Sequence, residues 1–436
     1  MSKVKVLLLY PPEQTWPGYM CKPNGSLAYP YLAGALRDIG VEVNVYDACV
    51  GNEQDKLDNF FYKSKELTSG MFRTGVSDER ILEVVSNYDV IGITSIFSQQ
   101  ETQVLACAKL IKSKFPNKIL LTGGVNAKSR SPSFFAAGFD VICTSEAEVT
   151  IQDLIKVLQK DSRDFSSIGK IFYKNSSGKI IDNSKFGEIC WDLDKLPIPA
   201  WDLLPNKRYW EIGRPHGGNI KPGVELRYAS IMTSRGCPFA CSYCHIAQED
   251  EGSISGPIGR FRIKSDERVI QELTILRDEI GAKQIFIEDD SIFGMKRRAI
   301  RLLKSIVGFG LDLMDVNGIN MIHLVKKSDK KKGWMVPDEE VISLLSEVGF
   351  KSITLPFESG NLRRAVKIGE NEYNLILKYD HNTTAYTQWF YFRIQNVKKF
   401  TTYKFNIVNL VKPESSYNQG MKPLFYSKKE AEQNDG

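Results

Sequence analysis

The chain has 436 residues, 42% of them hydrophobic, and a formal net charge of +6; at about 150 residues per domain it has room for two or three cores. It lacks any apolar run of the roughly 18 residues that a helical membrane span needs. Met1-Ser-Lys-Val-Lys5 leads straight into an apolar strand, so no secretory leader is expected, and eight cysteines in so long a chain point to the reducing cytoplasm rather than a disulfide framework.

In chain order, Val4 to Tyr10 reads as a strand. Leu32, Ala35, Leu36 and Ile39 then mark one helix face. Val41 to Tyr46 is a second strand and Val90 to Ser95 a third. A helix follows through Val104, Ala108, Ile111 and Phe115, then strands Lys118 to Thr122 and Phe139 to Cys143. A helix through Ile151, Leu154, Ile155 and Leu158 closes the series. Alternating strands and helices imply a doubly wound parallel sheet over residues 1–160, with ligands at the carboxyl ends of its strands. Candidate binding residues at that edge are Ser95 and Ser98 after the third strand, and Gly123 and Gly124 after the fourth. Paired glycines let the backbone approach a flat or phosphorylated ligand closely.

Residues 161–222 read as a linker. Ile168 to Asn175 and Lys179 to Asp182 form a hairpin around Ser177-Gly178, and Leu193 to Trp201 holds two prolines that mark a connector. A strand from Tyr228 to Thr233 then delivers Cys237-Pro-Phe-Ala-Cys241-Ser-Tyr-Cys244. Cysteine thiolates are the usual iron–sulfur ligands, and four-iron clusters normally take four. Three in one loop leave an iron open to an outside ligand; the other reading, a zinc loop, would need His245 or a distant residue to close it. Further βα units follow. A helix carries Val269, Leu273, Leu276 and Ile280, and the strand Gln284 to Ile287 ends in Glu288-Asp289-Asp290-Ser291. The next helix carries Ala299, Leu302, Leu303 and Ile306, and a short strand lies near Asp315 to Asn320. Another helix carries Val341, Leu344, Leu345 and Val348, and the strand Ser352 to Phe357 ends in Glu358-Ser-Gly360. Polar residues gathered at strand ends suggest a partial (β/α) barrel over 223–370.

The C-x3-C-x2-C loop with Tyr243 before its last cysteine resembles the signature of the radical S-adenosylmethionine (SAM) superfamily. The resemblance implies a 4Fe-4S cluster on Cys237, Cys241 and Cys244, whose open iron takes SAM and reduces it to a 5′-deoxyadenosyl radical. It places Asp289 or Asp290 near the methionyl amine, Glu358 near the ribose and Tyr243 beside the adenine. Together with Leu27-Ala-Tyr-Pro-Tyr-Leu-Ala33 and Ser145-Glu-Ala-Glu148, residues 1–160 resemble the flavodoxin-like, cobalamin-binding domain found ahead of such barrels. The D-x-H-x-x-G motif is absent, so cobalt would take no histidine from this domain. The resemblance implies methyl transfer to, or rearrangement of, an unactivated carbon in a small-molecule or peptide substrate, with a reduced flavodoxin or ferredoxin as electron donor.

Two other readings compete. A methylthiotransferase-like enzyme would need three further cysteines in the first domain. Cys21, Cys49, Cys107 and Cys143 are read as misplaced for that role, the last two as core residues. After about Glu370 the family pattern stops, and residues 371–436 form an atypical tail of aromatic, threonine-rich runs. That tail would leave a four-strand barrel with an exposed edge, and with it a cluster-binding protein that is catalytically incomplete. The lysine-rich run Lys326–Lys332 reads as a solvated loop and not as the basic face of a nucleic-acid binder.

Overall fold

The computed structural model describes residues 3–23, 26–215, 226–327 and 335–355, with short strands beyond. It divides into two compact units, Met1–Gly294 and Met295–Gly436. The first unit opens with β1 (Lys5–Tyr10), β2 (Glu13–Thr15), α1 (Ala28–Asp38) and β3 (Glu42–Asp47). Next come β4 (Lys65–Glu66), β5 (Phe72–Thr74), α2 (Asp78–Val85), β6 (Val90–Thr94) and α3 (Glu101–Lys114). β7 (Ile119–Gly123), α4 (Val125–Ser129), α5 (Ser131–Ala137), β8 (Val141–Cys143) and α6 (Glu148–Leu158) complete the alternation.

With β9 (Ile171–Lys174) and β10 (Ile180–Asp182), the main sheet runs β10-β9-β8-β7-β6-β1-β3. β3, β1, β6, β7 and β8 are parallel neighbours, which in chain order is the flavodoxin-like arrangement, with its switch point between β1 and β6. β6 is buried along its whole length, as a strand covered on both faces should be. One face packs Leu7, Leu9, Ile91 and Ile93 against Val104, Ala108, Ile111 and Phe134. The expected hairpin exists as β9 and β10. It extends the main sheet antiparallel from β8 and so belongs to the first domain's sheet rather than to a free linker. Periodicity missed β2, β4 and β5, which form a small antiparallel sheet of their own.

The connector is packed, not loose. Ala200 N donates to Pro30 O at 2.8 Å, and Trp201 is buried against Tyr31 with ring centroids 6.4 Å apart. After α7 (Asn206–Ile212), β11 (Tyr228–Ile231) is tied back: Trp201 Nε1 donates to Ser230 O and Trp210 Nε1 to Tyr228 O. Tyr209 OH donates to the buried Asp47 carboxylate at 2.8 Å. β12 (Ser234–Arg235) pairs antiparallel with β13 (Arg262–Ile263) around the cysteine loop. α8 (Asp266–Thr274) is capped by Ser265 and passes into a π-helical turn, Ile275–Ile280, that stops at left-handed Gly281. β14 (Gln284–Ile287) then pairs parallel with β11.

Loops at the carboxyl edge of the main sheet clasp the segment around the cysteines. Arg235 donates to Glu148 Oε1 at 2.5 Å and lies 3.3 Å from Glu146 Oε2. Glu146 also takes a fork of two bonds from Arg262, at 2.8 and 2.6 Å. Lys128 Nζ reaches Glu249 and Ser255, each at 2.5 Å. Arg235 further stacks its guanidinium over Tyr31, 5.2 Å from the ring centroid. Burial pushes the Glu148 carboxyl up, but Arg235 beside it prevails and holds it below its ordinary value.

The second unit contains α9 (Lys296–Ser305), β15 (Asp312–Asp315), β16 (Val325–Lys327), β17 (Met335–Pro337), α10 (Glu339–Glu347) and β18 (Phe350–Thr354). β15 and β18 are parallel, and the antiparallel β16–β17 pair flanks the lysine-rich run. The strand expected near Asp315 to Asn320 ends at Asp315, where Asp315 Oδ2 accepts from Thr354 N. Beyond β18 are β19 (Val366–Ile368), β20 (Asn371–Tyr373), β21 (Tyr391–Arg393) and β22 (Asn406–Ile407). β21 pairs antiparallel with β18, so the edge expected to lie open is covered, and by a strand that breaks the parallel βα pattern.

Two predictions follow from this packing. A Cβ at Gly34, on α1, would strike the backbone carbonyl of Ile198. Helix propensity alone would make Gly34→Ala stabilising by about 1 kcal/mol. The clash reverses the sign, and urea denaturation should show a loss of roughly 1–3 kcal/mol. Glu148→Gln leaves Arg235 as a buried cation short of its nearest carboxylate and should cost about 3–5 kcal/mol. Because folding lowers the Glu148 pKa, its contribution is full above the unfolded value and is lost as pH falls through the depressed one. The variant's acid unfolding curve should therefore be flatter than the parent's below about pH 4.5.

Candidate active site

The cysteine loop leaves the carboxyl end of β11 through Met232 and β12. Its entry is set by Asp289, which is 1% exposed and accepts from Thr233 N, Thr233 Oγ1 and Ser234 Oγ, each at 2.6 Å. Both Asp289 oxygens are thereby engaged in shaping the strand end. Asp290 Oδ2 accepts from Gly236 N at 3.1 Å. Burial, with Asp289 nearby, pushes the Asp290 carboxyl up. Of the pair named from sequence, Asp290 is thus the one set directly against the cysteine loop. Glu288, which sequence reasoning left without a role, accepts from Ser230 Oγ at 2.5 Å and is also pushed up by burial.

Backbone approach fixes the loop itself. Gly236 is left-handed at φ 73°, and a Cβ there would strike the carbonyls of Gly259 and Arg260. Gly259 has the same relation to the Ile246 and Glu249 carbonyls. Cys237 N donates to Gly259 O and Cys244 N to Cys241 O, both at 3.0 Å. The three cysteines are free and partly exposed. Burial, then Asp290 and the neighbouring thiols, push the Cys237 thiol up, so holding it as thiolate calls for a cationic partner. Tyr243 is 62% exposed beside the last cysteine. Among the described residues, no three donors from the loop and His245 gather within 4.8 Å of one another. Glu358 lies outside the described residues.

At the carboxyl edge of the main sheet, Ser95 is buried, and its Oγ accepts from Asn126 Nδ2 at 3.0 Å. Gly124, at φ 103°, lies against the Ser95 carbonyl, where a Cβ would clash. These two residues, with Gly123 in β7, therefore lock adjacent loops together, while Ser98 is exposed on the rim. Among the described residues, the hydroxyls of Thr122, Thr144 and Ser145 at the ends of β7 and β8 are buried without a hydrogen-bond partner. Trp16, Tyr19, Met20, Ile96 and Phe97 are exposed on the loops that follow β2 and β6. Unpaired buried hydroxyls and exposed apolar side chains at one sheet edge fit a large ligand with both polar and apolar faces, as cobalamin is.

Cys107 on α3 and Cys143 in β8 are buried core residues, as expected. Cys21 lies between β2 and α1, and its Sγ is 3.0 Å from that of Cys49.

The chain is 24% identical over 416 residues to the cytidylyl-2-hydroxyethylphosphonate methyltransferase of Streptomyces wedmorensis, covering 89% of this chain and 72% of that protein. It is 30% identical over 320 residues to an uncharacterized methyltransferase of Pyrococcus horikoshii, covering 72% and 59%. Among solved structures it is similar in fold to the cobalamin-dependent SAM radical enzyme OxsB with aqua-cobalamin bound. That match has TM-score 0.57 and 18% identity, and spans 82% of this chain but 44% of OxsB. It is similar, too, to the radical SAM methyltransferase TsrM from Kitasatospora setae, with TM-score 0.51, 16% identity and coverage of 80% and 58%. The tail has another likeness: residues 353–434 match the family model of the cytosolic carboxypeptidase N-terminal domain. Over 75 residues the chain is 59% identical to cytosolic carboxypeptidase 2 of Mus musculus, 17% of this chain and 9% of that one. Glu358 falls within this second likeness, which begins earlier than the break expected at about Glu370. Ahead of that segment, the chain is similar in fold to cobalamin-dependent radical SAM enzymes, and the two sequence relatives named here are methyltransferases.

Proposed function

We propose that the chain ahead of the carboxypeptidase-like segment is a radical SAM methyltransferase of the cobalamin type. The observation that carries this reading is the cysteine loop: three thiols on a backbone-clamped turn, beside Asp290, at the carboxyl end of a parallel strand pair. When bound, a 4Fe-4S cluster on Cys237, Cys241 and Cys244 supplies the electron that cleaves SAM to a 5′-deoxyadenosyl radical, and cobalamin supplies the methyl group. Asp290 has the position and charge to accept from the methionyl ammonium. Exposed Tyr243 offers a ring face to the adenine. Thr122, Thr144 and Ser145 offer hydroxyls to cobalamin's polar periphery. Asp289 serves the site indirectly by holding Thr233 and Ser234. The acceptor is an unactivated carbon of a small molecule or peptide, and the electron donor a reduced flavodoxin or ferredoxin.

The carboxypeptidase-like segment favours a second reading. It stands where further βα units of the barrel are expected, and β21 caps β18 antiparallel, so the cluster loop could be complete while the barrel is not. One assay separates the two. The protein is purified anaerobically, reconstituted with iron and sulfide, and given SAM and dithionite, with 5′-deoxyadenosine read by mass spectrometry. The methyltransferase reading expects product from the parent chain, none from Cys241→Ala, and at least about a tenfold loss with Asp290→Ala. A fully loaded cluster that yields no 5′-deoxyadenosine would overturn it in favour of the incomplete barrel.

A further inference from the structure

Glu13, Cys21 and Cys49 form the one group among the described residues whose metal-ligating atoms all lie within 4.8 Å of one another. Cys21 Sγ is 2.7 Å from Glu13 Oε2 and 3.0 Å from Cys49 Sγ. The two cysteines are 2% and 0% exposed, and Glu13 is half-buried. None of the three belongs to the cluster loop or has a part in the proposed reaction.

Their backbones are held independently. Glu13 sits in β2, paired with Thr74 of β5. Cys49 follows β3 in a turn where Val50 N and Gly51 N both donate to Asp47 O, and Cys49 N donates to Asp47 Oδ1. Ala48 N donates to Tyr10 O and Val76 N to Ala48 O, which pins this turn between β1 and the small sheet. Cys21 lies on the connection whose Pro23 carbonyl accepts from Tyr228 OH at 3.0 Å.

We infer that these residues form a metal site for a divalent, borderline-soft cation, zinc by preference, with ligands Cys21 Sγ, Cys49 Sγ and a Glu13 carboxylate oxygen. Two thiolates and a carboxylate are a zinc set, and a water completes the tetrahedron. Zinc at about 2.3 Å from each sulfur would hold the two sulfurs roughly 3.8 Å apart, an outward shift of under an ångström from their present spacing. A disulfide would take the Cys21 thiol away from Glu13 Oε2 and leave only the long 3.4 Å bond from Tyr10 OH to the other oxygen, so the neighbouring carboxylate favours a metal as the group's purpose. Loaded, the site fastens the β1–α1 connection, with its exposed Trp16, Tyr19 and Met20, to the ends of β1 and β3.

The test uses the full chain carrying Cys237→Ala, Cys241→Ala and Cys244→Ala, so that the cluster loop contributes no thiol. After dialysis against zinc, metal analysis should find about one zinc per chain. X-ray absorption should show two sulfurs at about 2.3 Å with oxygen completing the shell. Cobalt in place of zinc should give thiolate-to-metal charge-transfer bands. Adding Cys21→Ser or Cys49→Ser should abolish those bands, while Glu13→Gln should keep them but weaken zinc at least about tenfold. Zinc absent from the folded parent of this series, a shell of three sulfurs, metal retained in both serine variants, or a Cys21–Cys49 disulfide in anaerobically purified protein would each overturn the inference.

Discussion

The arrangement of the first unit depends on one buried guanidinium. Arg235 sits two residues before Cys237, between Glu146 in the loop after β8 and Glu148 at the start of α6, and over the ring of Tyr31 on α1. Taking those charges out of water is expensive, and a well-packed apolar cluster could match the net stability. What the charges add is direction. A guanidinium fork fits its carboxylates in few orientations, so the start of the cysteine loop is held at one angle to the carboxyl edge of the sheet. Arg262 repeats the fork on Glu146, and Lys128 adds a point-charge contact to Glu249. The surface that fits cobalamin and the loop that fits a cluster are therefore positioned by shared residues.

Inside that frame, backbone contacts do the finer placement. Gly236 and Gly259 allow two chain segments to touch without side chains between them. Asp289 uses its carboxylate to hold the strand end, and Asp290 turns to the loop. Adjacent aspartates thus hold two successive points of the chain, Thr233-Ser234 and Gly236.

Hydrophobic period and cysteine spacing were enough to read the parallel strands, their helices and the cluster loop, because each is a local pattern. Long-range polar pairing has no such signal. Arg235 and Glu148 lie 87 positions apart, and in sequence each looks like an ordinary surface charge. Glu146 and Glu148 stood out only through resemblance, without an indication that their partners would be Arg235 and Arg262. The same limit hid the meeting of Cys21 with Cys49, which needs the β2–β5 pairing to bring Glu13 alongside. The hairpin was legible as a hairpin, but its addition to β8 was not, because an edge strand's neighbour is set by the sheet and not by the turn.

The carboxypeptidase-like segment poses a different kind of problem. Its likeness begins at residue 353, inside β18, which runs Phe350–Thr354. The strand therefore draws on two sources, and a continuous β pattern spans the change. A strand needs only alternating side chains and a free edge to be extended, so either source can supply its last residues. Function is less tolerant. A barrel strand must hand the chain to a helix that returns it parallel, whereas the partner that follows here runs antiparallel. The constraint that makes β18 a good strand thus says nothing about whether the rim beyond it can hold a nucleoside. Turnover depends on that rim, while cluster assembly depends on a loop set entirely within the first unit.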